Sequence, residues 1–286
     1  MGSTRVTVLG SINMDLTALT DRLPVPGETV VGSSFVTTQG GKGANQAIAA
    51  VRSGSVTVFL GAVGDDAFAT ELVDTLVDAS VDVTSLRRTE GPSGVAVITV
   101  DARGENSIVV VAGANGAVTD PTDKELDAIA CADILLCQLE IPIATVVTGA
   151  QHARANGTLV VLNPSPVQEL PDALVEAVDI LVVNEAEAAS LGAQVLARIE
   201  HVITTRGADG ARYVGPTSSF DAPAPSVHAI DTTGAGDAFT GALAAEWHRG
   251  PEHAVRWACA AGAFAATRRG AGASSGTREQ IDTVNR

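Results

Sequence analysis

Apolar residues along this chain gather in short runs, separated by stretches in which they recur at helical spacing. Arg5–Leu9, Val56–Leu60, Ile134–Leu139, Leu159–Asn163, Ile180–Asn184 and Val202–Thr205 are such runs, rich in valine, isoleucine and leucine. Each is expected to be a strand of a core sheet. Between them, Phe68, Leu72, Leu76 and Ala79 are spaced for one face of a helix over Ala67–Asp78, and helices are also expected at Asp123–Ile129, Ala144–Asn156 and Glu252–Thr267. This alternation predicts an α/β fold. Two segments break it. Leu16–Thr38 has no helical period, contains Pro24, Pro26 and Gly27, and carries the β-leaning runs Glu28–Val31 and Ser34–Thr38. Gly94–Val100 and Ser107–Val111 are joined across Asp101-Ala102-Arg103-Gly104, a hairpin signature. Having no helix between their strands, the two segments are expected to form a small separate sheet.

Two glycine turns open helices. In Asp231-Thr232-Thr233-Gly234-Ala235-Gly236-Asp237, a strand-like lead-in (Val227–Ile230) runs into a helix expected from Ala238. Bared backbone at a helix N-terminus points free N–H groups outward and suits an anion. A carboxylate beside those donors would repel a phosphate, so Asp237 is either a cap or a general base working next to a bound phosphoryl group. The turn is not a P-loop, because Asp237 and Ala238 stand where that motif needs Lys and Ser/Thr. The second turn, Gln39-Gly40-Gly41-Lys42-Gly43-Ala44-Asn45, enters a helix reaching about Arg52, with Lys42 and Asn45 as donors at its entrance. Asn13 and Asp15 follow the first strand, and Glu140 closes the Ile134–Leu139 run; strand ends of α/β sheets are where ligands bind. Asn184 and Glu187 have capping-box spacing. Arg206–Gly210 and Arg268–Ser274 are further glycine turns.

The 286 residues suffice for one large α/β domain with a small insert. A formal net charge of −15 argues against a nucleic-acid partner, so any phosphate must be handled locally. Only Lys42 and Lys124 are lysines, which makes a lysine within a glycine cluster notable. Cys131, Cys137 and Cys259 form no C-x-x-C pair and read as buried, reduced thiols. The five histidines show no metal-ligand spacing, and no apolar run has the length of a signal peptide or membrane span. A cytoplasmic location is expected.

Taken jointly, residues 10–15, the Gly40–Asn45 turn, Gln138-Leu139-Glu140, Asn184–Glu187 and Asp231–Asp237 resemble the ribokinase family of sugar kinases, also called the phosphofructokinase-B family, nearly end to end. The resemblance implies a single three-layer, doubly wound domain over residues 1–286, with a mostly parallel central sheet flanked by helices. It also implies a small β-sheet lid, from about 16–38 and 94–111, that often pairs with a second subunit's lid to give a homodimer. It implies an ATP-dependent kinase in which Asn13, Asp15, Gly41, Lys42, Asn45 and Glu140 hold the sugar and Asp237 is the base. Gly234, Ala235 and Gly236 would be the anion hole. Asn184, Thr205, Gly207, Gly210 and Gly236 would lie along the nucleotide, and Glu187 would act on Mg²⁺ through water. A monovalent cation, K⁺, would sit near Asp231, Thr233, Ala265, Arg268, Gly270 and Ser274. The acceptor implied is D-ribose, phosphorylated at O5; 2-deoxyribose, fructose or a nucleoside are alternatives, and a non-catalytic sugar sensor is a different class of answer. Two departures from the family pattern are a short Ser190–His201 segment, suggesting a lost helix, and Cys259 where relatives often place a His near adenine.

Overall fold

The computed structural model describes residues 3–285. β1 (Arg5–Leu9) passes through residues 10–12 into β2 (Asn13–Thr20), and β3 (Gly32–Gly40) returns antiparallel to enter α1 (Lys42–Arg52). Then come β4 (Val56–Leu60), β5 (Ala62–Val63), α2 (Ala69–Asp78), β6 (Arg87–Arg88), β7 (Gly94–Val100) and β8 (Asn106–Val111). From α3 (Asp123–Ala130) the chain alternates through β9 (Ile134–Cys137), α4 (Ile143–Ala155), β10 (Leu159–Leu162), α5 (Asp172–Ala177), β11 (Ile180–Asn184), α6 (Glu185–Leu196) and β12 (His201–Thr205). The hairpin β13 (Ala211–Val214) and β14 (Ser219–Ala222) leads to α7 (Ala235–Glu246), α8 (Pro251–Ala266) and α9 (Arg278–Val284).

The main sheet has the order β14-β13-β12-β11-β10-β9-β1-β4. Strands β4 through β12 in that order are all parallel, and β13 and β14 extend the edge antiparallel. Successive residues of a strand feed opposite faces, which is why the runs are apolar throughout. Val6, Val8, Ile134, Leu136, Val161, Ile180 and Val182 pack toward α1, α2, α7 and α8, while Leu135, Cys137, Val160, Leu162, Leu181 and Val183 pack toward α3, α4 and α5. The result is a helix–sheet–helix sandwich. The second sheet, β3-β2-β7-β8, projects from it, with β2 and β7 parallel and β3 and β8 at its edges.

Several expectations need correction. Val227–Ile230 is not a strand: the amides of Ile230 and Asp231 both donate to the Ala266 carbonyl at the end of α8 instead of to a neighbouring strand. The helix behind Asp231 starts at Ala235, which puts Asp237 inside its first turn. Glu28–Val31 is irregular, and Asn13 and Asp15 open β2 rather than ending β1. Cys131, at the C-terminus of α3, is exposed, whereas Cys137 and Cys259 are buried. In the short Ser190–His201 segment α6 bends at Gly192 (φ 78°) and no further α-helix intervenes before β12. α5, α9 and the β5–β6 pair had no clear period in sequence because each is short. No helix among the described residues is long and apolar enough to cross a membrane.

Helices α1 and α7 pack closely because Gly241 faces α1: a Cβ there would meet the Ala49 side chain at 2.7 Å and the Ala50 amide nitrogen at 2.9 Å. Gly241→Ala should therefore destabilise the protein by roughly 1–3 kcal/mol through overpacking, measured by denaturant unfolding.

Candidate active site

Two helix N-termini meet in front of the C-terminal ends of the parallel strands. α1 starts after Gly41, which has φ 87° and lies so close to the β1–β2 junction that a Cβ would sit 2.7 Å from Ile12 Cα. α7 starts after Gly234, in the left-handed region with φ 75°, and a Cβ there would lie 2.7 Å from Ala271 Cα. At Gly236 a Cβ would meet nothing within 4 Å, so this backbone faces open space. Among the described residues, the amides of Gly236 and Asp237 have no backbone acceptor, whereas Ala235 N–H already donates to the Thr232 carbonyl at 3.2 Å. The Gly234 amide likewise has no acceptor among the described residues, so free donors flank Ala235 on both sides.

Asp237 lies where the two helices cross. One carboxylate oxygen accepts from Asn45 Nδ2 at 3.0 Å, the other from Gln46 Nε2 at 2.9 Å. Burial pushes its carboxyl above the usual range; the Lys42 charge and the two amide donors oppose that rise, and Glu140 adds to it. Glu140 accepts from the Lys42 amide at 3.0 Å and from the Ser11 hydroxyl, which seats it on the N-terminus of α1. Asn13 is buried and accepts from Asn115 Nδ2 at 2.7 Å. Asp15, two residues along β2, has no side-chain hydrogen bond among the described residues, and burial, then Glu140 and Asp237, push its carboxyl up to about 7. Lys42 has neither an ion pair nor a side-chain hydrogen bond among the described residues. Its charge acts on Asp237, whose carboxylate neighbours are Asp15 and Glu140. That set offers many acceptors and one strong cation, which suits a ligand bearing several hydroxyl groups.

Two cavities adjoin this cluster. The larger, about 730 Å³, is lined by Asn184, Thr205, Gly207, Gly210 and Gly236, with Phe239, Cys259 and Ala263 on its apolar wall. Cys259 Sγ points to the Ala222 carbonyl at 3.6 Å, and burial pushes its thiol up to about 11. The smaller, about 250 Å³, is lined by Lys42, Asn163, Glu187, Gly234 and Asp237. Asn184, Thr205 and Gly236 line both, so the two volumes are continuous. Asn184 caps α6 in a capping box: its side chain accepts from the Glu187 amide at 2.8 Å and its amide donates to Glu187 Oε2 at 2.8 Å. The structural role of this pair and its place at the cavity coexist.

The Asp231 turn lies beside Gly234. Asp231 accepts from the Thr233 amide at 2.9 Å and the Gly270 amide at 3.0 Å; burial pushes its carboxyl up, but these donors outweigh it and leave it low. The Ala265 carbonyl accepts from the Arg268 amide at 3.0 Å, Arg268 itself stacks over Phe264, and the Ser274 hydroxyl donates to Ala271 at 2.6 Å. These are oxygen donors of a kind suited to a hard monovalent cation, supplied mostly by backbone. No group of three or more His, Cys, Asp or Glu side chains that could hold a metal occurs among the described residues.

Sequence reasoning missed Gln46, Asn163, Ser11 and Arg206. Asn163 stands directly after β10, the same strand-end signal that marked Glu140 and Asn184. Gln46 gave no signal, because a helical glutamine reads as solvated until its helix is placed. Arg206 lines the large cavity and its buried Nε has no partner.

A family model described as pfkB family carbohydrate kinase matches residues 3–278. The chain belongs to the pfkB family of carbohydrate kinases. It is 36% identical to the ribokinase of Haemophilus influenzae, with 96% of each chain covered. It is 32% identical to the deoxyribokinase of Salmonella typhi, with 97% of each covered. Among solved structures, Arabidopsis thaliana ribokinase complexed with ribose and ATP superposes with a TM-score of 0.90 at 29% identity, covering 100% of this chain and 99% of that one. The architecture is that of the ribokinase-like fold.

In this carbohydrate kinase an ionised Asp15 is costly without a ligand. Its folded pKa of about 7 exceeds the unfolded value of about 3.9, so the folded state binds the proton more tightly and loses stability as pH rises between them. Asp15→Asn should raise the melting temperature of the ligand-free protein more at pH 8 than at pH 5, measured by thermal unfolding at both.

Proposed function

We propose that the protein transfers the γ-phosphoryl group of ATP to O5 of D-ribose. The observation that carries this reading is the placement of Asp237, whose half-buried carboxylate stands at the free N–H groups of α7 and, with Lys42, lines the smaller cavity, which shares Asn184, Thr205 and Gly236 with the larger one. Ribokinases aligned along the full chain support ribose as acceptor, and the deoxyribokinase relative makes 2-deoxyribose the competing one.

In this reading the nucleotide lies in the 730 Å³ cavity, its base against the Cys259 wall and its phosphates passing Asn184, Thr205 and Gly207 toward Gly236. The sugar lies among Asn13, Asp15, Gly41, Lys42, Asn45 and Glu140. Asp237 takes the proton of the 5-hydroxyl as the bond to phosphorus forms, so no free alkoxide is needed. The amides of Gly234, Ala235 and Gly236 hold the transferring group, and Lys42 offsets its charge. Glu187 commits Oε2 to its helix cap and has a second oxygen for a water on Mg²⁺, which would neutralise phosphate charge. Asp231 and the carbonyls and hydroxyl around Thr233, Ala265, Arg268, Gly270 and Ser274 would hold K⁺, which adds positive potential behind the anion hole.

The β3-β2-β7-β8 sheet acts as a lid, excluding water that would compete as acceptor. Its outer strand β8 is exposed along its whole length, including Ile108, Val109, Val110 and Val111, and this supports pairing with a second lid in a homodimer. The reduced thiols fit a cytoplasmic setting.

Two outcomes test the reading. ADP release from Mg·ATP should depend on ribose and be faster with K⁺ than with Na⁺ alone; release with 2-deoxyribose, fructose or adenosine instead would move the acceptor. Asp237→Asn should bind ribose nearly as well as the unaltered protein while kcat falls by several powers of ten. Near-normal turnover in that variant would remove Asp237 from the chemistry.

A further inference from the structure

Asp237 is held by side chains of another helix, and one of those belongs to a line of buried amides. The line begins at the backbone carbonyl of Val182, which can only accept. Asn163 Nδ2 donates to it at 2.9 Å, which turns Asn163 Oδ1 toward Gln46, where it accepts from Nε2 at 3.1 Å. The second N–H of Gln46 Nε2 then goes to Asp237 Oδ1 at 2.9 Å, and Gln46 Oε1 accepts from Gln138 Nε2 at 2.6 Å. Gln46 and Gln138 are both fully buried, so water cannot replace the bond between them. Flipping the Gln46 amide would set its oxygen against the Asp237 carboxylate and the Asn163 oxygen. Flipping Gln138 would bring two carbonyl oxygens face to face, and its present orientation is kept although its own Oε1 has no partner. The direction of the whole line is therefore fixed from the Val182 carbonyl outward.

We propose that Gln46 is the positioning residue of the phosphoryl-transfer base: the amide line Val182–Asn163–Gln46, locked by Gln138, presents Asp237 with an N–H that cannot rotate away and thereby holds its carboxylate ionised and in place. The proposal rests on the reading of Asp237 as the base. Asn45 Nδ2 donates to the other carboxylate oxygen at 3.0 Å, so both oxygens face donors, an arrangement that favours the ionised form. When Asp237 takes the sugar proton, its oxygens become weaker acceptors for both amide donors, and that loss favours release of the proton afterwards. The charged groups facing Asp237 are Lys42 of α1, Asp15 of β2, Glu140 after β9 and, across the smaller cavity, Glu187 of α6. Replacing Gln46 leaves all of them in place.

The test is the pH dependence of kcat and kcat/KM from about pH 5 to about pH 9, for the unaltered protein, Gln46→Met and Gln138→Met. Methionine conserves volume and removes the donor. Gln46→Met should lower kcat on the order of 10²-fold, with the KM values for sugar and ATP little changed. Losing a donor to the ionised form raises the pKa of the base, so the acid limb of kcat/KM should move up by about one pH unit. Gln138→Met, which touches neither Asp237 nor the ligands, should shift both in the same direction by less. A folded Gln46→Met with an unmoved acid limb, whatever its kcat, would overturn the proposal by reducing Gln46 to a packing residue. If Gln46→Met does not fold, an unmoved limb in Gln138→Met would do the same. Turnover that survives Asp237→Asn is a distinct result, which would strike out the base itself and this proposal with it.

Discussion

The close crossing of α1 and α7 is the constraint on which the site depends. Each helix brings its N-terminus to the same edge of the sheet, that of α1 paired with Glu140 and Ser11 and that of α7 open, and each is let in by a glycine whose backbone touches another segment, Gly41 against Ile12 and Gly234 against Ala271. Gly241 then lets the two helices approach until Asn45 and Gln46 of one reach the carboxylate of Asp237 on the other. Were the helices separated by the width of a larger side chain, Asp237 would lose both donors that hold its carboxylate at the smaller cavity. Packing of small residues, a stability matter elsewhere in the fold, here fixes the geometry of a charge.

The balance of charge in the site is local and does not follow the strongly acidic whole. Burial, and then the nearby carboxylates of Glu140 and Asp237, push the Asp15 carboxyl up to about 7. Glu140 is steadied by the α1 N-terminus and Ser11, and Asp237 by amides, but Asp15 has no such partner. The site therefore lacks hydroxyl donors for one acid, and a polyol supplies them. This is a physical reason for it to prefer a ligand that donates.

Much of the fold was legible in the sequence. Strands buried on both faces leave unbroken apolar runs, so β1, β4 and β11 fall where the pattern puts them, and β7 falls where the hairpin signature puts it. The glycine turns were legible as helix entrances because few other uses explain such clusters. What was not legible depends on contacts distant in sequence. The Val227–Ile230 run looks like a strand, yet the Ala266 carbonyl, not a neighbouring strand, takes the Ile230 amide. Cys131 sits next to apolar residues but at an exposed helix end. Gln46 and Asn163 are 117 residues apart, and only the folded chain makes them neighbours. The roles of Asn184 and Glu187 could not be separated from capping because they do cap α6.

β2 belongs to two places at once. Its first residues, Asn13 and Asp15, are part of the polar cluster, while the rest of the strand lies at the middle of the outer sheet, bonded to β3 and β7. A pleated strand transmits tilt along its length, so the outer sheet and the cluster share a lever. With the sugar held by Asn13 and Asp15 as proposed, a partner that gripped the sheet from outside and shifted its angle would change the affinity of the cluster for that sugar, and by thermodynamic reciprocity the sugar would change the strength of that grip by the same factor.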